Sequence, residues 1–389
     1  MVSTALLMMI YLSFISLGLP DSMLGSAWPA MNVSLNAPLW GAGLVQMLIS
    51  FCTIISSLNS AKLIRRFGTG KLTAISVATT ALALLGFSLA KNYAFLLLMA
   101  VPLGLGAGAV DAGLNNFVAL HYEAKHMSWL HCFWGVGAII SPFIMSFALK
   151  NLNWNSGYRI VGFIQLAIAL LLLVTLPVWK INKTESTADT KRVGLTAALK
   201  IKGVPFLLIG FFAYCAAEAT AMYWASTYFT EVKGISGDRA ASFAALFYIG
   251  ITLGRFASGF ITERLGDRRM ILLGTGILAC GIMILLIPVQ SYMTAFAAFL
   301  VIGFGCAPIY PCIIHSTPAN FGAENSGAII GIQMASAYVG STFIPPLFGL
   351  FGNAVGFSVM PVYLLAFFAL MIIMTEATFR ITGKPGGKN

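Results

Sequence analysis

Three carboxylic acids stand inside stretches apolar enough to cross a bilayer: Asp21, Asp111 and Glu218. Asp111 belongs to residues 104–117, GLGAGAVDAGLNNF, in an apolar run that opens near residue 94 with AFLLLMAVPL and lasts to residue 119. Crossing a bilayer takes roughly 20 apolar residues, which puts Asp111 near the middle. An ionised side chain at that depth costs about 3 kcal/mol on insertion scales, so such groups face a protein interior or a wet cavity and mark ion or substrate pathways. The chemistry open to them is to load and unload a cation during a cycle. On a helix, Gly104, Gly108, Asp111 and Asn115 fall at i, i+4, i+7 and i+11 and share one face. Asp21, in LSFISLGLPDSMLGSAWPAM, shares a face with Gly18, Gly25 and Trp28, and Pro20 weakens the backbone ladder beside it. Glu218, in FFAYCAAEATAMYW, follows Tyr214 by one turn.

The other reactive side chains form no catalytic set. His121, His126 and His131 are five residues apart, about 500° of helix, so they do not converge on a metal. The six cysteines, Cys52, Cys132, Cys215, Cys280, Cys306 and Cys312, lie in apolar runs without metal-ligand spacing, which argues against a zinc site and a disulfide framework alike. There is no Ser/His/Asp order and no Walker loop, so the reading is not an enzyme and needs no cofactor.

The elements that must position the acids are membrane helices. Of 389 residues, 59% are hydrophobic and 9% charged, against roughly 25% charged in a soluble domain. Apolar runs occupy about residues 4–30, 39–64, 72–90, 94–120, 127–149, 157–179, 203–230, 239–262, 270–290, 293–315, 326–350 and 357–378, numbered here as spans 1 to 12. The prediction is an all-α polytopic membrane protein. A net charge of +11 would suit nucleic acid, but the basic residues gather in alternate loops. With the N-terminus inside, seventeen of the 23 Lys and Arg are cytoplasmic, five are outside and Arg255 is within span 8. The positive-inside rule then puts both termini in the cytoplasm. The first apolar run lacks a basic leader and is too long for a cleaved signal, so it is read as span 1 of a plasma (inner) membrane protein.

The twelve spans divide into two sets of six. The basic turn NSAKLIRRFGTGK after span 2 returns after span 8 as SGFITERLGDRR, with Arg66-Phe67-Gly68 matching Arg264-Leu265-Gly266 at an offset of 198. GLGAGAVDA from Gly104 matches GFGCAPIYP from Gly303, and GVGAIISP ending at Pro142 matches VGSTFIPP through Pro345, at nearly the same offset. Three echoes in order indicate a duplication. The expected organisation is a six-helix bundle over 1–179, a polar cytoplasmic linker over 180–202 and a second six-helix bundle over 203–389. Span 10 is expected to break around Tyr310, between Pro308 and Pro311.

Twelve helices in two similar halves, with a basic glycine-containing turn after spans 2 and 8, resemble the major facilitator superfamily. Within it, LPDSMLG (Asp21), VDAGLNNF (Asp111, Asn115, Phe117) and HCFWGVGAIISP resemble the fucose, galactose and glucose proton symporters. The resemblance implies two pseudo-symmetric bundles that rock about a midplane cavity, with Asp21 and Asp111 in proton coupling and sugar recognition. Glu218 stands where some relatives carry an amide, which leaves two acids or three, and a proton or a sodium ion, as alternatives. The first basic turn also lacks the acidic residue usual in the superfamily.

These readings define a candidate site. Asp21, Asp111 and Glu218 are the coupling acids; Gln46, Asn115, Asn116 and Gln333 offer hydrogen bonds to hydroxyls, with His131 beside Trp134 at the start of span 5; Trp28, Trp134, Tyr214, Tyr310 and Tyr338 can stack on a sugar ring. Arg255 lies about 12 Å along the helix from Glu263, so it is placed away from the midplane and paired with Glu263 or Asp267 at an inner gate that also involves Arg66. With no cation near the midplane, a neutral or cationic substrate is favoured. The expectation is a monomeric transporter that takes up a neutral monosaccharide with a proton; the alternatives are a proton-driven exporter of cationic or amphipathic compounds, and a nutrient sensor.

Overall fold

The computed structural model describes residues 4–38, 40–179, 194–235, 237–287 and 292–383, and every regular element among them is helical. Most of the expected linker, 180–193, lies outside the described residues, as does 384–389. Among the described residues, eleven helices are long and apolar enough to cross a membrane. The remaining span position is taken by Gly237–Leu265, a helix of 29 residues that carries Arg255. At 1.5 Å per residue that helix is about 44 Å long, ample for a crossing. The all-α, twelve-span fold class read from the sequence is the observed one.

Two spans are broken, each at a proline. Span 1 runs as Thr4–Gly18 and Met23–Ser34. Between them Pro20 supplies no N–H, and Asp21 and Met23 donate their N–H groups to the carbonyls of Gly18 and Pro20 at 3.3 and 3.2 Å. Span 10 runs as Tyr292–Cys306, Ile309–His315 and Thr317–Phe321. Its break falls at Ala307 and Pro308, so Tyr310 sits inside the short second helix and not at the break where the sequence put it.

The duplication is visible in backbone approaches that only glycine permits. A Cβ on Gly104 would strike the Ile49 carbonyl, and one on Gly303, 199 residues later, would strike the Phe247 carbonyl. Gly106 faces the Ser76 carbonyl as Gly305 faces that of Gly274, and Gly137 meets the Ile15 carbonyl as Gly340 meets that of Phe212. The turns after spans 2 and 8 match in dihedral angle: Gly68 has φ 77°, ψ 157° and Gly266 has φ 75°, ψ 162°, a conformation costly for any side chain. These close crossings let Ser and Thr hydroxyls bond across helices, as Thr53 and Ser57 do to the Gly104 and Gly108 carbonyls at 3.2 and 3.1 Å. Gly104→Val is therefore expected to abolish the folded peak in detergent size exclusion, because the obstruction is backbone and cannot turn aside, while Gly276→Ala, with nothing within 4 Å, leaves it intact.

Contacts divide the chain into a first unit, Met1–Phe117 with Phe133–Arg192, and a second, Val118–Cys132 with Val193–Asn389. Residues 118–132, which the sequence assigned to the first bundle, thus group with the second. The reason is side-chain chemistry: Lys125 meets Glu263 at 2.7 Å, Trp129 donates its indole N–H to the Phe256 carbonyl at 3.3 Å, and Gly259 leaves the room that the Trp129 ring occupies. In the first unit, buried Gln165 ties three spans, donating to the Ser16 carbonyl at 2.5 Å and accepting from Thr80 at 2.9 Å.

Candidate ion and substrate sites

In the first unit Asp21 occupies the break of span 1, near the middle of Thr4–Ser34. Its Oδ2 accepts the Trp134 indole N–H at 2.7 Å, and among the described residues Oδ1 accepts none. Asp21 is exposed and lines a small recess of about 30 Å³ together with Gln46 and Tyr158, enough for a water or two. Asp111 is buried on Tyr93–His121, where Asn115 donates from Nδ2 to its Oδ1 at 2.8 Å and to its backbone carbonyl at 3.0 Å.

The structure thus brings Asp21, Trp134 and Gln46 together, and pairs Asp111 with Asn115 on another helix of the same unit. Asn116, one residue on, is half-buried. Trp28 is placed otherwise. It is 6% exposed in the apolar core, edge-on to Tyr93 and packed over Gly41, so its ring serves packing.

In the second unit Glu218 lies midway along Val204–Glu231. The Tyr214 hydroxyl is shared between Glu218 Oε1 at 3.0 Å and the Cys306 carbonyl at 2.9 Å, an acceptor exposed by the break of span 10. Arg255, only 4% exposed, stands 3.6 Å from Glu218 Oε1 and 3.5 Å from the His131 carbonyl. The expected pairing of Arg255 with Glu263 or Asp267 is corrected accordingly: a buried guanidinium needs a buried counter-charge, and Glu218 supplies it. The expectation that no cation lies near the midplane falls with it, since Glu218 is mid-span.

Around this pair His131 stacks edge-on against Tyr310 with centroids 4.8 Å apart, and Phe211 and Tyr214 flank the same ring. Tyr214 is fully buried, so it acts through its hydroxyl and offers no ring face. Gln333 is buried as well; its carbonyl accepts from Thr317 at 3.0 Å, while its Nε2 has no partner among the described residues. Tyr338 is half-buried.

The charged groups named for a gate take other partners. Glu263 pairs with Lys125, which also holds Glu123 at 2.7 Å. Its hydrogen bonds to Glu263 and then Lys125 lower the Glu123 carboxyl from 4.5 to about 2, so its contribution is complete above 4.5 and is lost only as pH falls through about 2. Asp267 meets His315 Nδ1 at 2.8 Å, and His315 Nε2 approaches the Tyr122 carbonyl at 3.3 Å. Arg66 is exposed, with its guanidinium over the Phe67 ring. Lys125, His315 and the bidentate Arg268–Glu376 pair were missed from sequence. Only the acid-basic excess at the span ends could have pointed to them.

The model of the Major Facilitator Superfamily matches residues 10–246 and 207–389. The glucose/mannose transporter GlcP of Bacillus subtilis is 23% identical over 362 residues, 87% of this chain and 86% of that protein. The yeast protein "Bypass of stop codon protein 6" is 23% identical over 389 residues, covering 90% of this chain and 77% of its own. Among solved structures, the E. coli fucose:proton symporter FucP superposes with a TM-score of 0.79 at 17% identity, over 99% of this chain and 100% of that one. The proton:xylose symporter XylE, bound to 6-bromo-6-deoxy-D-glucose, does so with a TM-score of 0.79 at 13% identity, over 98% and 96%. At such identities the structural likeness is one of fold, but the family model spans nearly the whole length, and with it the chain belongs to the Major Facilitator Superfamily of membrane transporters.

Proposed function

We propose that this transporter takes up a neutral monosaccharide together with a proton, by alternating access. The observation that carries the reading is Asp21: a carboxylate at a helix break in mid-span, oriented by Trp134 through one oxygen and with the other open to a proton. An acid fixed in that way binds a proton with little reorganisation, and Gln46 beside it and the half-buried Trp134 ring offer a sugar an amide and an apolar face. Asp111 and Asn115 form the second acid–amide set of the unit. The likeness to two sugar:proton symporters supports the substrate class and the ion.

Glu218 has a different part in this scheme. Its charge is matched by Arg255, so the pair itself carries no net charge and is compatible with a neutral cargo. The basic turns suggest that both termini lie in the cytoplasm, and the proposed transporter is a monomer in the inner membrane. It needs no cofactor besides the coupling ion.

The test is sugar-evoked proton movement in vesicles of the purified protein, with a panel of neutral hexoses and pentoses. One of them is expected to make the external medium more alkaline as protons enter with it. Acidification on addition of a lipophilic cation would instead identify an exporter, and a sodium requirement at constant pH would change the ion. Ligand binding without tracer flux would identify a sensor.

A further inference from the structure

We propose that the first unit carries a binding site for one anionic phospholipid, in a groove between spans 2, 3 and 4 that ends at the basic turn around Gly68. The groove has a volume of about 320 Å³ and runs from Leu105, mid-span, to Phe67 at the turn. Leu105, Phe67 and Ile75 are 40%, 37% and 48% exposed, so the groove is open on the helix surface.

Three of its polar residues hold backbone acceptors. Ser56 donates to the Leu105 carbonyl, Asn59 to the Ile55 carbonyl and Thr79 to the Ile75 carbonyl, each to a backbone acceptor. These donors are taken up by the helices, and Leu63, Phe67, Leu72, Ile75 and Leu105 give the groove an apolar wall. Such a wall suits an acyl chain.

At the end of the groove stand Lys62, Arg65, Arg66 and Lys71, all exposed, and among the described residues no acid forms an ion pair with any of them. The duplicated turn after span 8 differs in this respect. There Glu263 and Asp267 are present and engaged with Lys125 and His315. The second turn thus carries two acids among Arg264, Arg268 and Arg269, whereas the first carries Lys62, Arg65, Arg66 and Lys71 with no acid between them. Arg66 lies 5.4 Å over the ring of Phe67, which itself lines the groove, so the cationic end and the apolar trough are continuous. A phosphate at the basic turn with its chain laid along the trough satisfies both, and a basic side chain at a membrane surface strengthens anionic lipid binding about fivefold.

The experiment is lipid retention by native mass spectrometry after reconstitution in phosphatidylcholine with phosphatidylglycerol. The wild type is expected to keep one phosphatidylglycerol. Arg65→Gln with Arg66→Gln should weaken retention about 30-fold, and Ile75→Trp, which fills the trough and leaves every charge in place, should also remove the lipid. Unchanged melting in pure phosphatidylcholine shows that both variants are folded. Equal retention of phosphatidylcholine, or displacement by soluble glycerol phosphate, would overturn the proposal, because a bilayer chain would then not be what is recognised. So would loss of a dimer in Ile75→Trp with the lipid retained, since a second copy of the chain would then cover the groove.

Discussion

Vesicles carrying Asp111→Asn are expected to exchange labelled sugar for unlabelled sugar at close to the wild-type rate and to accumulate none. A proton crossing a potential of 100 mV carries about 2.3 kcal/mol, enough for about 50-fold accumulation of a neutral solute moved with it. The amide keeps the shape of the carboxyl group and the Asn115 contact but binds no proton, so accumulation should fall from about 50-fold to unity while facilitated exchange survives. Asp21→Asn should behave alike, since Trp134 can still donate to the amide oxygen. If Asp111→Asn vesicles still concentrate the sugar, proton coupling through this acid is wrong whatever the fate of the substrate assignment.

The second large effect concerns the pair in the other unit. Glu218→Ala removes a counter-charge 3.6 Å from a guanidinium that is 4% exposed, and breaking a buried pair costs about 3–5 kcal/mol. Melting followed by a thiol-reactive dye suits the measurement, because Cys215, Cys306 and Cys312 are buried in the native state. The single variant should melt several degrees lower, and Glu218→Leu combined with Arg255→Met should recover most of the loss, since replacing both charges removes the desolvation penalty along with the attraction. Independent, additive losses would show that the two residues do not act as a pair. The same variants decide between two acids and three: if Glu218→Gln keeps its 50-fold accumulation, this carboxylate balances Arg255 and moves no proton.

These expectations bear on the substrate as well. Arg255 removes the original ground for a neutral cargo, which was the absence of a mid-membrane cation. The conclusion stands on its pairing with Glu218 instead, and so a variant that lifts the pair is also expected to admit charged analogues more readily.

Read along the chain, the spans, the duplicated glycine turns and the three embedded acids were all legible, while Pro20 read only as a weakening of span 1 and the break of span 10 read as falling at Tyr310. A bilayer offers the backbone no hydrogen-bond partner, so helices must announce themselves by length and apolarity, and an acid within one stands out at once. Partners were another matter. That Arg255 reaches Glu218 and not Glu263, that Trp28 fills a core while Trp134 holds Asp21, and that residues 118–132 join the second unit all depend on which faces abut and how closely. Helical periodicity states which residues share a face; only the packed glycine crossings decide what that face meets.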